Sequence, residues 1–248
     1  MLCMGIVGKN LITIERLTKD YGNNAGIFDV SFEIKKGEVF GFLGPNGAGK
    51  TTTIRHLLGF IKSDSGSCSI MGLDCWTQPS EIQKYIGYVA GEIALPNGMN
   101  GYKLIENIAA MRGIKLDRMK QLCEYFDINP KNKIRRMSKA MKQKIALILA
   151  FMHDPEILLL DEPTSGLDPL MQEKFCELIS EEKKRGKTIM LSSHIFNEVE
   201  KTCDRVMIIK HGKIIAEVDM KSIATEKPEF IVTKFSLEKY FMDYYRNT

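Results

Sequence analysis

Hydrophobic and polar positions follow two different periods along this 248-residue chain. Near the start they alternate, through LITIERL (11–17) and IFDVSFEI (27–34), with Gly22, Asn23 and Asn24 between them. That pattern predicts two strands of a small antiparallel sheet joined by a turn. Five short apolar runs follow, at 39–43, 86–89, 157–160, 188–191 and 206–209, separated by stretches with a helical period. Strands buried on both faces and alternating with helices predict an α/β core, a parallel sheet covered by helices. From about residue 100 to 154 helix-favouring residues continue without a convincing strand, which reads as a helical insert, bounded at 92–155. No internal repeat divides the chain, so 1–248 is expected to be a single domain. In the tail, 218–248, Ser236 can cap a helix whose Leu237, Tyr240, Phe241 and Tyr244 share one face. Packing on the same domain and packing on a partner both satisfy that stripe.

Composition narrows this picture only a little. With 44% hydrophobic and 27% charged residues the chain reads as a soluble globular protein. Its apolar run at 145–152 stops at His153, Asp154 and Pro155, far short of the roughly 20 residues that span a bilayer. The opening MLCMGIVGKN lacks the basic and apolar regions of a secretion signal, so the expected address is cytoplasmic. Six cysteines (Cys3, Cys68, Cys75, Cys123, Cys176, Cys203) at wide, irregular spacings fit reduced thiols. A net charge of +4 does not call for nucleic acid, and none is expected as a partner. Residues 131–144 nevertheless carry seven basic side chains and no acid, a run that ordinarily marks a solvated face.

Two stretches carry chemistry. GFLGPNGAGKTT holds G-x-x-x-x-G-K-T directly after an apolar strand and before a helical segment, the context that a phosphate-binding loop requires. Gly44, Gly47 and Gly49 allow the tight turn that aims amide N–H groups inward, and the helix adds its positive end. Lys50 can then neutralise the β- and γ-phosphates of a nucleotide, and the Thr51 hydroxyl can ligate Mg2+. Further on, EILLLDEPTSGLDP ends a buried strand in Asp161 and Glu162, at the edge where parallel sheets bind ligands. One carboxylate can hold magnesium and the next can deprotonate an attacking water. Alone, the two acids could simply cap the next helix; beside a phosphate loop they read as catalytic.

On these residues the chain resembles the ATP-binding subunit of an ABC transporter, nearly end to end, on the multidrug, peptide and antibiotic exporter branch. The resemblance implies a P-loop nucleoside triphosphate hydrolase core with a small antiparallel β subdomain and a helical insert. It also implies two subunits, a second copy or a related chain, that sandwich two ATP molecules and power a separate multi-span permease at the inner face of the membrane. Carried onto this sequence, Gly44, Pro45, Asn46, Gly47, Ala48, Gly49, Lys50, Thr51 and Thr52 bind nucleotide and Tyr21 stacks on adenine. Asp161 is the magnesium-associated acid, Glu162 the catalytic base, His194 in LSSH the γ-phosphate histidine, and Asp168 in SGLD a contact to the opposite subunit.

Two departures stand out. Where the family places a glutamine, this chain has Gly91 followed by Glu92. Glu92 is either a third metal ligand or a solvent-facing acid; beside phosphate without a metal its charge would cost on the order of 4 kcal/mol. The family's L-S-G-G-Q reads Met137, Ser138, Lys139, Ala140, Met141 here. Ser138 can still cap a helix, and the amides of the first turn survive any side chain that keeps the helix. Ala140 favours that turn over glycine by about 0.5–1 kcal/mol. Lys139 opposes the helix dipole by about 0.3–1 kcal/mol unless an anion docks, so it either meets phosphate across the dimer or bends into solvent. The competing readings are a soluble ATPase of the same class, suggested by the basic run, and a weakly hydrolysing regulatory subunit, suggested by the altered signature.

Overall fold

A computed structural model of the chain describes residues 10–220. The first alternating segments form β1 (Asn10–Asp20) and β2 (Gly26–Lys35), an antiparallel pair whose turn takes Gly22, Asn23 and Asn24 through positive φ. The sheet has two further strands that the hydrophobic pattern does not predict, β4 (Ser65–Ile70) and β5 (Leu73–Asp74), in the order β2-β1-β4-β5. In SGSCSI only Cys68 and Ile70 are buried, too thin an alternation to read as a strand.

The central sheet is built from the five apolar runs: β3 (Val39–Leu43), β6 (Ile86–Val89), β7 (Ile157–Asp161), β8 (Thr188–Ser193) and β9 (Arg205–Lys210), all parallel. A sixth strand, β10 (Lys213–Asp219), is also absent from the predicted set and makes the sheet mixed, pairing antiparallel with β9 at the edge. His211 and Gly212, at φ 47° and 73°, supply the left-handed pair that a two-residue hairpin needs. The order is β10-β9-β3-β8-β7-β6.

Four helices connect the strands of the core: α1 (Lys50–Leu57), α2 (Pro79–Ile82), α6 (Pro169–Lys184) and α7 (Phe196–Thr202). Between β6 and β7 lie α3 (Gly101–Arg112), α4 (Asp117–Tyr125) and α5 (Lys139–Phe151), with a short 3-10 turn at Ile134–Arg136 and no named strand. Side chains of the central strands alternate between two cores, as a period of two requires. Phe40, Phe42, Ile157, Leu159 and Met190 face the antiparallel sheet, where Phe32 stacks on Phe40 at 5.0 Å. Val39, Leu43, Leu158, Leu160, Ile189 and Leu191 face the layer that contains α3 to α6. Each such side chain, fully buried, stabilises the fold by roughly 1.5–3 kcal/mol. Wedged between two cores, β3, β7 and β8 cannot slide, so their C-terminal ends hold fixed positions.

No helix among the described residues is long and apolar enough to cross a membrane. The five described cysteines are free thiols. Cys3, Ser236 and the Leu237, Tyr240, Phe241, Tyr244 stripe lie outside the described residues.

Candidate functional site

The loop between β3 and α1 closes on its neighbours so tightly that glycine is obligatory at both ends. A Cβ at Gly44 would sit 2.4 Å from the Ile209 carbonyl oxygen, and one at Gly49 would sit 2.6 Å from Ile27 Cγ2. Gly49 is the N-cap of α1, left-handed at φ 111° and without a side chain to cap the helix. By contrast Asn100, Ser138 and Asp168 each cap their helices with a side-chain oxygen. The first-turn amides of α1 thus have no capping side chain, which suits an anion.

Lys50 folds back over this loop. Its Nζ donates to the carbonyls of Gly44 at 2.6 Å and Pro45 at 3.2 Å, and lies 3.2 Å from Glu162 Oε1. Glu162 Oε2 is 2.6 Å from His194 Nδ1. One carboxylate therefore bridges the loop lysine and the histidine that follows β8, and the pairing puts the imidazole proton on Nδ1. The backbone of Glu162 is held in the left-handed region, φ 48°, with its N–H bonded to the Ser192 carbonyl at 3.0 Å. Such a conformation costs about 1–3 kcal/mol and persists only where the surroundings over-determine it.

Beneath this bridge Asp161 is fully buried. Its Oδ2 accepts from the Thr51 hydroxyl at 2.6 Å, and its Oδ1 accepts from the Ser192 hydroxyl. Thr51 and Asp161 thus present two hard oxygens side by side, the donor type that suits magnesium. No group of three or more His, Cys, Asp or Glu able to hold a metal occurs among the described residues. Magnesium fits such a site, because it is commonly held by one or two protein ligands together with substrate phosphates. Position 91 presses on the same acid: a Cβ at Gly91 would lie 2.9 Å from Asp161 Oδ2. Glu92 is exposed and makes no hydrogen bond or ion pair among the described residues.

The remaining predicted residues fall into two groups. Tyr21, 53% exposed, stands on the β1–β2 turn, whose Gly26 approaches Gly49. Asn46 and Gly47 are exposed at the loop tip, Ala48 is buried, and the Thr52 carbonyl meets His56 Nδ1 at 2.8 Å. At the start of α5 the Ser138 hydroxyl accepts from the Met141 N–H at 3.2 Å, and Ala140 is half-buried. Lys139 neither points freely into solvent nor stands alone: Nζ donates to Ser165 Oγ at 2.9 Å and its stem crosses Gly166. Asp168 caps α6 through the Met171 N–H at 3.0 Å. Three further residues, not anticipated from the sequence, complete the arrangement: Ser192 under Asp161, Ser193 beside His194, and the fully buried Gln143, whose Nε2 donates to the Pro163 carbonyl at 2.6 Å. Gln143 lies between Lys142 and Lys144, ahead of the aliphatic run of α5, so nothing in the sequence marked it as buried.

Comparison with known proteins points to one family. The family model described as ABC transporter matches residues 27–165. An uncharacterised ABC transporter ATP-binding protein of Bacillus subtilis, YhcH, is 36% identical over 222 residues, covering 88% of this chain and 72% of that protein. The bacitracin transport ATP-binding protein BcrA of Bacillus licheniformis is 36% identical over 233 residues, covering 91% of this chain and 75% of its own. A solved structure described as the ATP-binding subunit of an ABC transporter superposes with a TM-score of 0.82 at 27% identity, covering 95% of this chain and 99% of that one.

Proposed function

Because the chain belongs to the ABC transporter family, as an ATP-binding subunit with ATPase activity, we propose that the Lys50–Glu162–His194 bridge is its hydrolytic centre. The observation that carries this reading is Glu162, whose two oxygens meet Lys50 at 3.2 Å and His194 at 2.6 Å. Lys50 gives up the Gly44 and Pro45 carbonyls to neutralise the β- and γ-phosphates, which also take the amides of the 44–49 loop and of α1. Thr51 and Asp161 hold Mg2+, which supplies further neutralisation of phosphate charge. Glu162, released from Lys50, accepts the proton of the water whose oxygen bonds to the γ-phosphorus as the bond to the bridging oxygen breaks. His194 steadies Glu162 Oε2 beside the γ-phosphate, and Tyr21 stacks on the adenine.

The full site takes two chains. Ser138, Lys139 and Ala140 at the start of α5, with Asp168, face the ATP held by a second copy or a related subunit. Residues 92–155 act as a helical subdomain of one ABC domain that spans 1–248, and the pair drives a separate multi-span permease from the inner face of the membrane. A drug, peptide or antibiotic exported through that permease is the cargo we favour, supported by the relative named for bacitracin transport. Glu162→Gln tests the centre. It should abolish ATP turnover and leave an ATP-bound dimer that persists through size-exclusion chromatography. Unchanged turnover would remove Glu162 from the role of base.

A further inference from the structure

Where β8 ends, the chain turns through Ser193, His194 and Ile195 into α7. Glu198, in the first turn of that helix, is 4% exposed and makes no ion pair among the described residues. A buried acid without a cation costs stability that a leucine or glutamine there would not, so its contacts bear on its purpose. Its Oε2 accepts from Ser193 Oγ at 2.6 Å, and the same Ser193 Oγ accepts from the Ile195 N–H at 3.0 Å. Thr202 Oγ1 fastens the Glu198 carbonyl from behind at 2.7 Å. The two residues flanking His194 are therefore tied to one carboxylate, while His194 itself reaches Glu162.

We propose that Glu198 is a positioning residue for ATP hydrolysis: through Ser193 it fixes the turn that carries His194, and so keeps the imidazole against Glu162. This rests on the reading of Glu162 and His194 as the hydrolytic pair. The brace is also sensitive to charge. Burial pushes the Glu198 carboxyl up to about 7 against the pull of the Ser193 and Thr164 hydroxyls, and the charge of Glu162 adds to the rise. The other titratable groups facing it are thiols, Cys176 on α6 and Cys203 after α7, both raised by burial. A carboxylate accepts from Ser193 more strongly than a neutral acid does, so the turn tightens as pH rises through neutrality.

The test uses the full chain. Glu198→Gln keeps the shape and an acceptor but not the charge. We expect kcat to fall about tenfold at pH 8, with KM for ATP within about twofold. The rise in kcat between pH 6 and 8 should be lost, and the His194 ring resonances should move in the NMR spectrum as the imidazole leaves Glu162. Ser193→Ala should reproduce the loss, and the double variant should be no worse than either alone. Ser193→Ala also carries the test if Glu198→Gln does not fold. Wild-type kcat and pH profile in these variants, whatever their melting temperature, would overturn the brace. Unchanged turnover in Glu162→Gln would instead overturn the assignment of the hydrolytic pair.

Discussion

The buried half of the site and its exposed half are held together in opposite ways. Asp161, Glu162 and Lys50 sit between two cores, each with two or more polar partners. At the start of α5 each side chain has one: Ser138 caps the helix and Lys139 meets Ser165, both in exposed bonds. The same contrast separates the starts of α1 and α5. α1 lacks a side-chain cap and α5 has Ser138. The over-determined half is arranged to receive a nucleotide from its own chain. The lightly held half is the one we propose to meet a second subunit.

Lys50→Ala puts the largest strain on that contrast. It removes the one cation at the loop and leaves Glu162 with only His194, so nucleotide affinity should fall on the order of a hundredfold, as loss of a buried charge-assisted contact implies. Equilibrium binding of a fluorescent ATP analogue measures this directly. Affinity within a few-fold of wild type would show that the amides of α1 suffice.

The next effect tests whether burial in this half has a measurable cost. Folded Glu198 keeps its proton up to about 7 while the unfolded chain releases it near 4.5. Folding therefore takes up a proton between those values, and stability falls as pH rises from 4.5 to 7, then levels off. The fall is on the order of 3 kcal/mol for a shift of this size. Glu198→Gln should lack it, becoming steadily more stable relative to wild type across that window in chemical denaturation. A difference independent of pH would mean that the acid titrates normally in the folded chain.

How far the sequence was legible follows the same division. The strands β3, β6, β7, β8 and β9 were visible because burial on both faces forces unbroken apolar runs, and the glycines, Lys50 and Asp161 were visible because close approach and phosphate chemistry admit few alternatives. β4 escaped because three of the six residues in SGSCSI are serine, and β10 because it is an edge strand with only Val218 buried. Ser192, Ser193 and Glu198 escaped for another reason. Their roles depend on which strand ends the sheet order brings together, and that is a long-range fact. The altered signature stayed ambiguous because its side chains are exposed, and burial, which narrows the choice elsewhere, does not act on Ser138 or Lys139.

Ser138→Ala moves to the exposed half and should cost about 1 kcal/mol of stability, the usual value of a helix cap. In thermal unfolding this is a small drop in melting temperature, with nucleotide binding to the isolated subunit unchanged. A larger loss would mean that α5 is held more firmly by its start than the single 3.2 Å bond to Met141 suggests.

Lys139→Ala is the smallest and most specific change. The lysine spends an exposed hydrogen bond on Ser165 and opposes the dipole of α5, so the two contributions, each about 0.5–1 kcal/mol, nearly cancel in the isolated chain. Folding stability should shift by less than about 0.5 kcal/mol. Association in the presence of ATP is a different matter. The bond to Ser165 has a charge on one side only, whereas a bond to phosphate adds the attraction of opposite charges, so an ATP presented by a second subunit should draw the ammonium off Ser165. Lys139→Ala should then weaken ATP-dependent dimerisation several-fold at low ionic strength. The deficit should shrink above about 0.15 M salt, where exposed charges are screened within roughly 8 Å. Equal association of both proteins at every salt concentration would leave Lys139 as a strut between α5 and the 165–168 loop, and the exposed half would then depend on Ser138 and the amides alone.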